Sequence, residues 1–112
     1  ASHKPDRYSN MALRLLREHG HHVIPVHPMR REIEGLPVAH GLADIDEHVD
    51  TVTVYVSPAV SSKLEDAFLS LSPGRVIFNP GTENEPLREA LERHGIRTME
   101  ACTLVLLKTA QF

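Results

Sequence analysis

The sequence predicts an α/β protein built on a doubly wound parallel sheet with helices on both faces. Three observations carry this. Thr51-Val52-Thr53-Val54-Tyr55-Val56 and Arg75-Val76-Ile77-Phe78 are short runs rich in β-branched and aromatic residues, and they read as strands. Between and around them lie segments whose apolar residues recur at helical spacing. Strand and helix alternate at intervals that suit βαβ units, and such units require parallel pairing. At 112 residues the chain fits a single domain, residues 1–112, burying about two-thirds of its unfolded surface.

The elements follow in order. Met11, Ala12, Leu15, Leu16 and His19 form one helical stripe, with Arg14, Arg17 and Glu18 outside it. Ser9 or Asn10 is the expected N-cap, since its side-chain oxygen can accept a first-turn N–H. Gly20 is the expected stop. His22-Val23-Ile24-Pro25-Val26 reads as a short strand in which Pro25 lacks a ladder donor. Residues 29–41 read as loop with a short strand at Pro37-Val38-Ala39, and Leu42 to Ile45 as a helical turn or two. Residues 51–56 are the strongest strand. Ser57-Pro58 is a cap followed by proline at the first helical position. The helix behind it carries Val60, Leu64, Ala67, Phe68 and Leu71 on one face, and Ser72-Pro73-Gly74 ends it. After the strand at 75–78 comes a turn-rich loop, then a helix marked by Leu87, Ala90, Leu91 and His94 and stopped at Gly95. Residues 97–101 form the last strand and 102–108 an apolar helix. Leu16-Arg17-Glu18-His19-Gly20 and Leu91-Glu92-Arg93-His94-Gly95 echo each other. Shared helix-stop chemistry explains the echo as well as duplication does.

Composition excludes several classes. A net charge of −3 gives no global field toward nucleic acid or an anionic membrane. The single cysteine, Cys102, excludes an internal disulfide and fits a reducing compartment. No apolar run approaches the roughly 20 residues of a membrane helix, and no signal-peptide pattern is present. The expectation is a cytoplasmic protein that binds neither nucleic acid nor membrane.

The stretch Ser2-His3-Lys4-Pro5-Asp6-Arg7-Tyr8-Ser9-Asn10 is polar, cationic and runs into the first helix. A loop feeding a helix N-terminus suits an anion, because free N–H groups and the positive dipole end meet there. Lys4 and Arg7 add full charges, and Arg grips phosphate with a bidentate fork. In a doubly wound sheet such a loop follows a central strand. That strand is therefore expected upstream of Ala1, paired between residues 23–26 and 52–56. Ligands in open α/β sheets bind outside the carboxyl ends of the strands. Five segments fall at such ends: 2–10, 27–31, 56–58, 79–84 and 101–103. A nicotinamide dinucleotide site wants an acid about 20 residues beyond its glycines. Val26-His27 stands there instead, followed by Arg30 and Arg31, which suit a phosphorylated ribose.

A resemblance becomes specific at this point. Ser2, Lys4, Pro5, Arg7, Ser9 and Asn10, then Val26-His27-Pro28, Gly35, Asn79-Pro80-Gly81-Thr82-Glu83-Asn84 and Cys102-Thr103-Leu104-Val105-Leu106-Leu107 carry it. The chain resembles the small single-domain CoA-binding proteins, a family similar to the CoA-binding domain of the succinyl-CoA synthetase alpha subunit and of NDP-forming acyl-CoA synthetases. The resemblance covers essentially the whole chain. It implies a Rossmann-like fold that binds coenzyme A, with the pyrophosphate on the first loop and the adenine-ribose end near the segment after the second strand. The sequence departs from the family pattern at the glycine and strand that usually open the first loop, at His27, where Asn is common, and at Met29, where a basic residue is common. It also lacks the further domain whose phosphorylated histidine the synthetases use.

The candidate ligand-binding residues are therefore Ser2, Lys4, Pro5, Arg7, Ser9, Asn10, His27, Pro28, Arg30, Val56, Ser57, Pro58, Asn79, Pro80, Gly81, Thr82 and Cys102. The thiol of Cys102 is expected to face the pantetheine arm. No catalytic arrangement is apparent. Among the eight histidines, His21 and His22 are adjacent and would point to opposite faces of a strand, and no metal site is expected. The reading is a CoA or acyl-CoA binding module without catalysis of its own, acting alone, as a homodimer or with an unidentified protein partner. One alternative is a subunit of an acyl-CoA synthetase working with a separate catalytic chain. Another is an NAD(P)-binding protein.

Overall fold

The strand Arg75–Phe78 is the centre of a parallel sheet in the computed structural model, which describes residues 1–112. It is β4. On one side it pairs with β3 (Thr51–Val54) and on the other with β5 (Arg97–Glu100), both parallel and in unbroken register. Val76, Ile77 and Phe78 are 0 % exposed. Successive side chains point to opposite faces of the sheet, so β4 is buried on both faces and its sequence is continuously apolar instead of alternating. The sheet belongs to one of two compact units, Asp46–Cys102; the other comprises Ala1–Ile45 and Thr103–Phe112.

In the sheet-bearing unit, β3 leads into α2 (Pro58–Ser61), a 3-10 turn at Ser62–Leu64 and α3 (Glu65–Leu71). The expected single helix is therefore broken. Of its predicted stripe only Phe68 is buried, and Val60 is exposed. Proline stands at N1 of α2 as expected, although the Ser57 side chain makes no capping bond. β4 leads into α4 (Glu85–Arg93), which buries Leu87, Ala90 and Leu91. This helix starts where Asn84 Oδ1 accepts from Leu87 N at 3.2 Å. The other end of the same amide donates to Ser61 Oγ (2.9 Å) and lies within bonding distance of Ser62 Oγ and the Pro58 carbonyl. One buried side chain thus caps α4 and ties it to the start of α2.

In the other unit, α1 (Tyr8–Glu18) packs on α5 (Thr103–Lys108). Ala12, Leu13 and Leu16 from α1 and Leu104, Leu106 and Leu107 from α5 are buried, whereas His19, expected in the stripe, is exposed. Residues 23–26 do not form the expected sheet strand. Val26 makes only an isolated parallel bridge to Ala39. Pro25 has no N–H to give, and its carbonyl accepts from Ala39 N. A hairpin that the sequence did not announce follows: β1 (Glu32–Ile33) pairs antiparallel with β2 (Leu36–Pro37) across Glu34-Gly35. Both turn residues have positive φ, +52° and +76°, the signature of a type I′ turn. The helical turn expected at Leu42 is a 3-10 helix, Leu42–Asp44.

The two echoed helix ends have a shared physical cause. After α1, Gly20 N bonds Arg17 O and His21 N bonds Leu16 O. After α4, Gly95 N bonds Glu92 O and Ile96 N bonds Leu91 O. Each is a Schellman motif with glycine in the left-handed region, at φ +84° and +82°. No helix is long and apolar enough to cross a membrane.

Replacing Asn84 tests this account of unit Asp46–Cys102. Asn84→Ala removes a cap and the donor that bonds the buried Ser61 hydroxyl, so urea unfolding should show a loss of about 2 kcal/mol. Asn84→Asp retains the capping oxygen but not the donors, and should recover only part of that loss.

Candidate functional site

The loop of residues 2–7 is built from short hydrogen bonds. Lys4 N donates to Ser2 Oγ (3.2 Å), and Arg7 N donates to the Lys4 carbonyl (3.1 Å). Arg7, not Ser9 or Asn10, is the N-cap of α1. Its backbone is extended, its carbonyl accepts from Met11 N, and no side chain caps the first turn. The first turn also contains no acid. The N–H groups at this end of an 11-residue helix are therefore available to an external acceptor. Lys4 and Arg7 are exposed beside them, and Asp6 is the one carboxylate of the loop.

Asn10 holds a different place from the one expected. It lies inside α1 and is 0 % exposed. Its Nδ2 donates to the Ser2 carbonyl (2.9 Å) and to Glu34 Oε2 (3.2 Å), and its Oδ1 accepts from Arg14 Nε (2.9 Å). Arg14 also donates to the Pro5 carbonyl at 2.8 Å. Asn10 is thus committed to the protein and shapes the loop from behind. Arg14 and Glu34 were not among the expected site residues. The i,i+4 spacing of Asn10 and Arg14 was the one available signal.

Residues 27–30 adjoin this loop. His27 Nδ1 accepts from Met29 N (3.0 Å) and Arg30 N (3.1 Å), closing a tight turn over Pro28. Arg30 reaches His3, with 2.9 Å between its guanidinium and Nε2. The Ala1 nitrogen lies 2.9 Å from the Val26 carbonyl oxygen. Desolvation holds His27 below the ordinary imidazole value, and the positive charges of Arg30, His3 and His40 push in the same direction. Within this unit the expected residues Ser2, Lys4, Pro5, Arg7, His27, Pro28 and Arg30 therefore fall into two joined loops, and Ser9 and Asn10 into the first turn of α1.

In the unit Asp46–Cys102 the remaining expected residues lie at one edge of the sheet, because parallel strands in register end on the same side. Val56, Ser57 and Pro58 follow β3, Asn79, Pro80, Gly81 and Thr82 follow β4, and Cys102 follows β5. Asn79 Nδ2 donates to the Val54 carbonyl (2.8 Å), and Thr82 Oγ1 donates to the Asn79 carbonyl (2.7 Å). Both side chains are buried, so they hold the loop. Gly81 has φ +88° with open space around its Cα, and its N–H donates to Glu83 Oε1 at 2.9 Å. Cys102 is a half-buried free thiol. No group of three or more His, Cys, Asp or Glu is placed to hold a metal ion.

A family model, the CoA binding domain, matches residues 1–108. The chain belongs to the CoA-binding domain family. It is 29% identical over 106 residues to the uncharacterized protein YneT of Bacillus subtilis, covering 93% of this chain and 78% of that one. A crystal structure of an uncharacterized protein is 42% identical, with TM-score 0.94, over 100% of this chain and 92% of the other. A Thermus thermophilus protein structure is 30% identical with TM-score 0.90, over 100% and 85%. The fold is also that of part of a dinucleotide-forming acetyl-coenzyme A synthetase from Ca. Korarchaeum cryptofilum. That likeness has TM-score 0.76 at 22% identity, over 90% of this chain and 24% of the synthetase. The family assignment rests on the match over residues 1–108, and the synthetase likeness shows the fold alone.

The His27 turn has a pH signature. Its lowered value in the folded chain means that the unfolded chain binds the proton first as pH falls. Stability contributed by neutral His27 is full above the ordinary value of 6.5 and declines below it. His27→Asn keeps an acceptor for the same N–H groups but does not titrate. The melting temperature of the native protein should therefore fall relative to His27→Asn between about pH 7 and pH 5, as read by thermal melts across that range.

Proposed function

We propose that this CoA-binding domain binds coenzyme A or an acyl-CoA, with the pyrophosphate on residues 2–7 and the first turn of α1. The observation that carries the reading is the open N-terminus of α1, without a side-chain cap or a first-turn acid, fed by a loop that presents Lys4 and Arg7. Such an end attracts an anion through its N–H groups and dipole. The arginine adds a planar fork suited to phosphate oxygens. The start of α4 offers no equivalent, because the Asn84 side chain and Glu85 occupy it.

The ribose end of the ligand is proposed to lie against residues 27–31. No acid occurs between His19 and Arg31, so nothing there repels a ribose phosphate. Arg30 is joined to His3 of the first loop, which places positive charge from both segments together. This is the reason for preferring CoA, which carries that extra phosphate, over NAD. The module itself is proposed to be non-catalytic.

Calorimetric titration with CoA and with NAD tests the reading. CoA should bind more tightly than NAD. Arg7→Ala should weaken CoA binding by about 1.5–3 kcal/mol, the range for hydrogen bonds to charged groups. The ligand-free melting temperature should barely move, because Arg7 contributes only backbone contacts to the fold. Equal affinity for the two ligands, or unchanged CoA affinity in Arg7→Ala, would show the site to be elsewhere.

A further inference from the structure

Glu34 stands where a glutamate is poorly suited. It is the first residue of the type I′ turn between β1 and β2 and has φ +52°. Side chains other than Asn, Asp and Gly are disfavoured in that left-handed conformation. Its carboxylate meets Asn10 Nδ2, and its own carbonyl accepts from Arg17 at 2.8 Å. The chain thus keeps a strained residue whose side chain reaches a buried amide.

That amide has its orientation fixed by chemistry. Glu34 and the Ser2 carbonyl can only accept, so Nδ2 must face them. Arg14 can only donate, so Oδ1 must face it. The second arm of Arg14 then holds the Pro5 carbonyl. The relay runs from a turn residue through a buried amide to Ser2 and Pro5 of the loop that precedes α1.

We propose that Glu34, Asn10 and Arg14 form a positioning relay, in which the Glu34 carboxylate sets the shape of residues 2–7 and so prepares that loop for a phosphate-bearing ligand. None of the three needs to touch the ligand. The relay rests on the CoA reading only for its ligand arm, since the loop order it sets belongs to the free protein.

Glu34→Asn separates positioning from plain stabilisation. Asparagine suits the left-handed turn but is too short to reach Asn10. The expected result is a melting temperature equal to or above the native value, together with a looser loop. In ¹⁵N relaxation, order parameters of the Lys4 and Arg7 amides should fall from the rigid range of about 0.85 to below about 0.6. Calorimetric CoA affinity should fall about tenfold, equivalent to about 1.4 kcal/mol. Glu34→Gln, which keeps an acceptor at the same reach, should restore both readouts.

Unchanged order parameters in Glu34→Asn would overturn the proposal, as would loosening accompanied by a large drop in melting temperature. Loosening of the loop with native CoA affinity would remove the ligand arm. Failure of the native protein to bind CoA would instead refute the function proposed above, and the relaxation measurement would still decide the relay.

Discussion

Pairing on both sides of β4 is the constraint from which the unit Asp46–Cys102 follows. Parallel neighbours cannot be joined by a tight turn, so each crossover needs a helical segment. Val76, Ile77 and Phe78 are apolar and buried in succession, the run expected of a parallel strand buried on both faces. Parallel register also throws the ends of β3, β4 and β5 to one edge. Irregular backbone concentrates there and must be satisfied. Asn79, Thr82 and Asn84 do this from buried positions, each bonding backbone groups of its own loop or a neighbouring one. The polar motif after β4 is therefore largely the cost of ending a buried strand.

The two longer helices begin in opposite ways. At α4 the Asn84 oxygen takes a first-turn N–H and Glu85 sits against the dipole. That end is electrostatically complete. At α1 the N-cap is Arg7, which brings positive charge to the positive end of a dipole. Local stability argues against that choice, and an external anion reverses the sign of the argument. Within the chain alone, that end is left electrostatically incomplete.

Much of this was legible in the sequence. β3, β4 and β5, α4 and α5 declare themselves because their apolar periods are strong and their ends are punctuated by Gly or Pro. The Schellman stops at Gly20 and Gly95 were visible as matching pentapeptides. Residues 23–26 have the β-branched content of a strand, but Pro25 has no N–H to give and Val26 makes a single bridge. The β1–β2 hairpin was hidden because Glu-Gly replaces the usual Asn-Gly of a type I′ turn. Asn10 was read as a surface cap because short polar side chains near a helix start usually are. Its burial depends on Ser2, Glu34 and Arg14 arriving from eight, twenty-four and four residues away. Local pattern cannot reveal that convergence. The sequence groups the loop residues by their place at strand ends and helix starts, and their division between exposed charges and buried scaffold needed coordinates.

The surroundings of His27 are one-sided in charge. Partial desolvation keeps this imidazole neutral, and Arg30, His3 and His40 act on it as positive neighbours in the same direction. Neutrality is structurally necessary, because Nδ1 must keep a lone pair for the Met29 and Arg30 N–H groups. The cations that surround the turn therefore protect it from protonation. A bound phosphate would offset their charge and ease the entry of a proton, weakening the turn beside the ligand. The geometry escapes this conflict if ligand oxygens pair with Arg30 and the first loop while His27 Nδ1 stays occupied by backbone. On that arrangement His27 is a shape-keeping residue, and the arginines and the helix N-terminus supply the attraction.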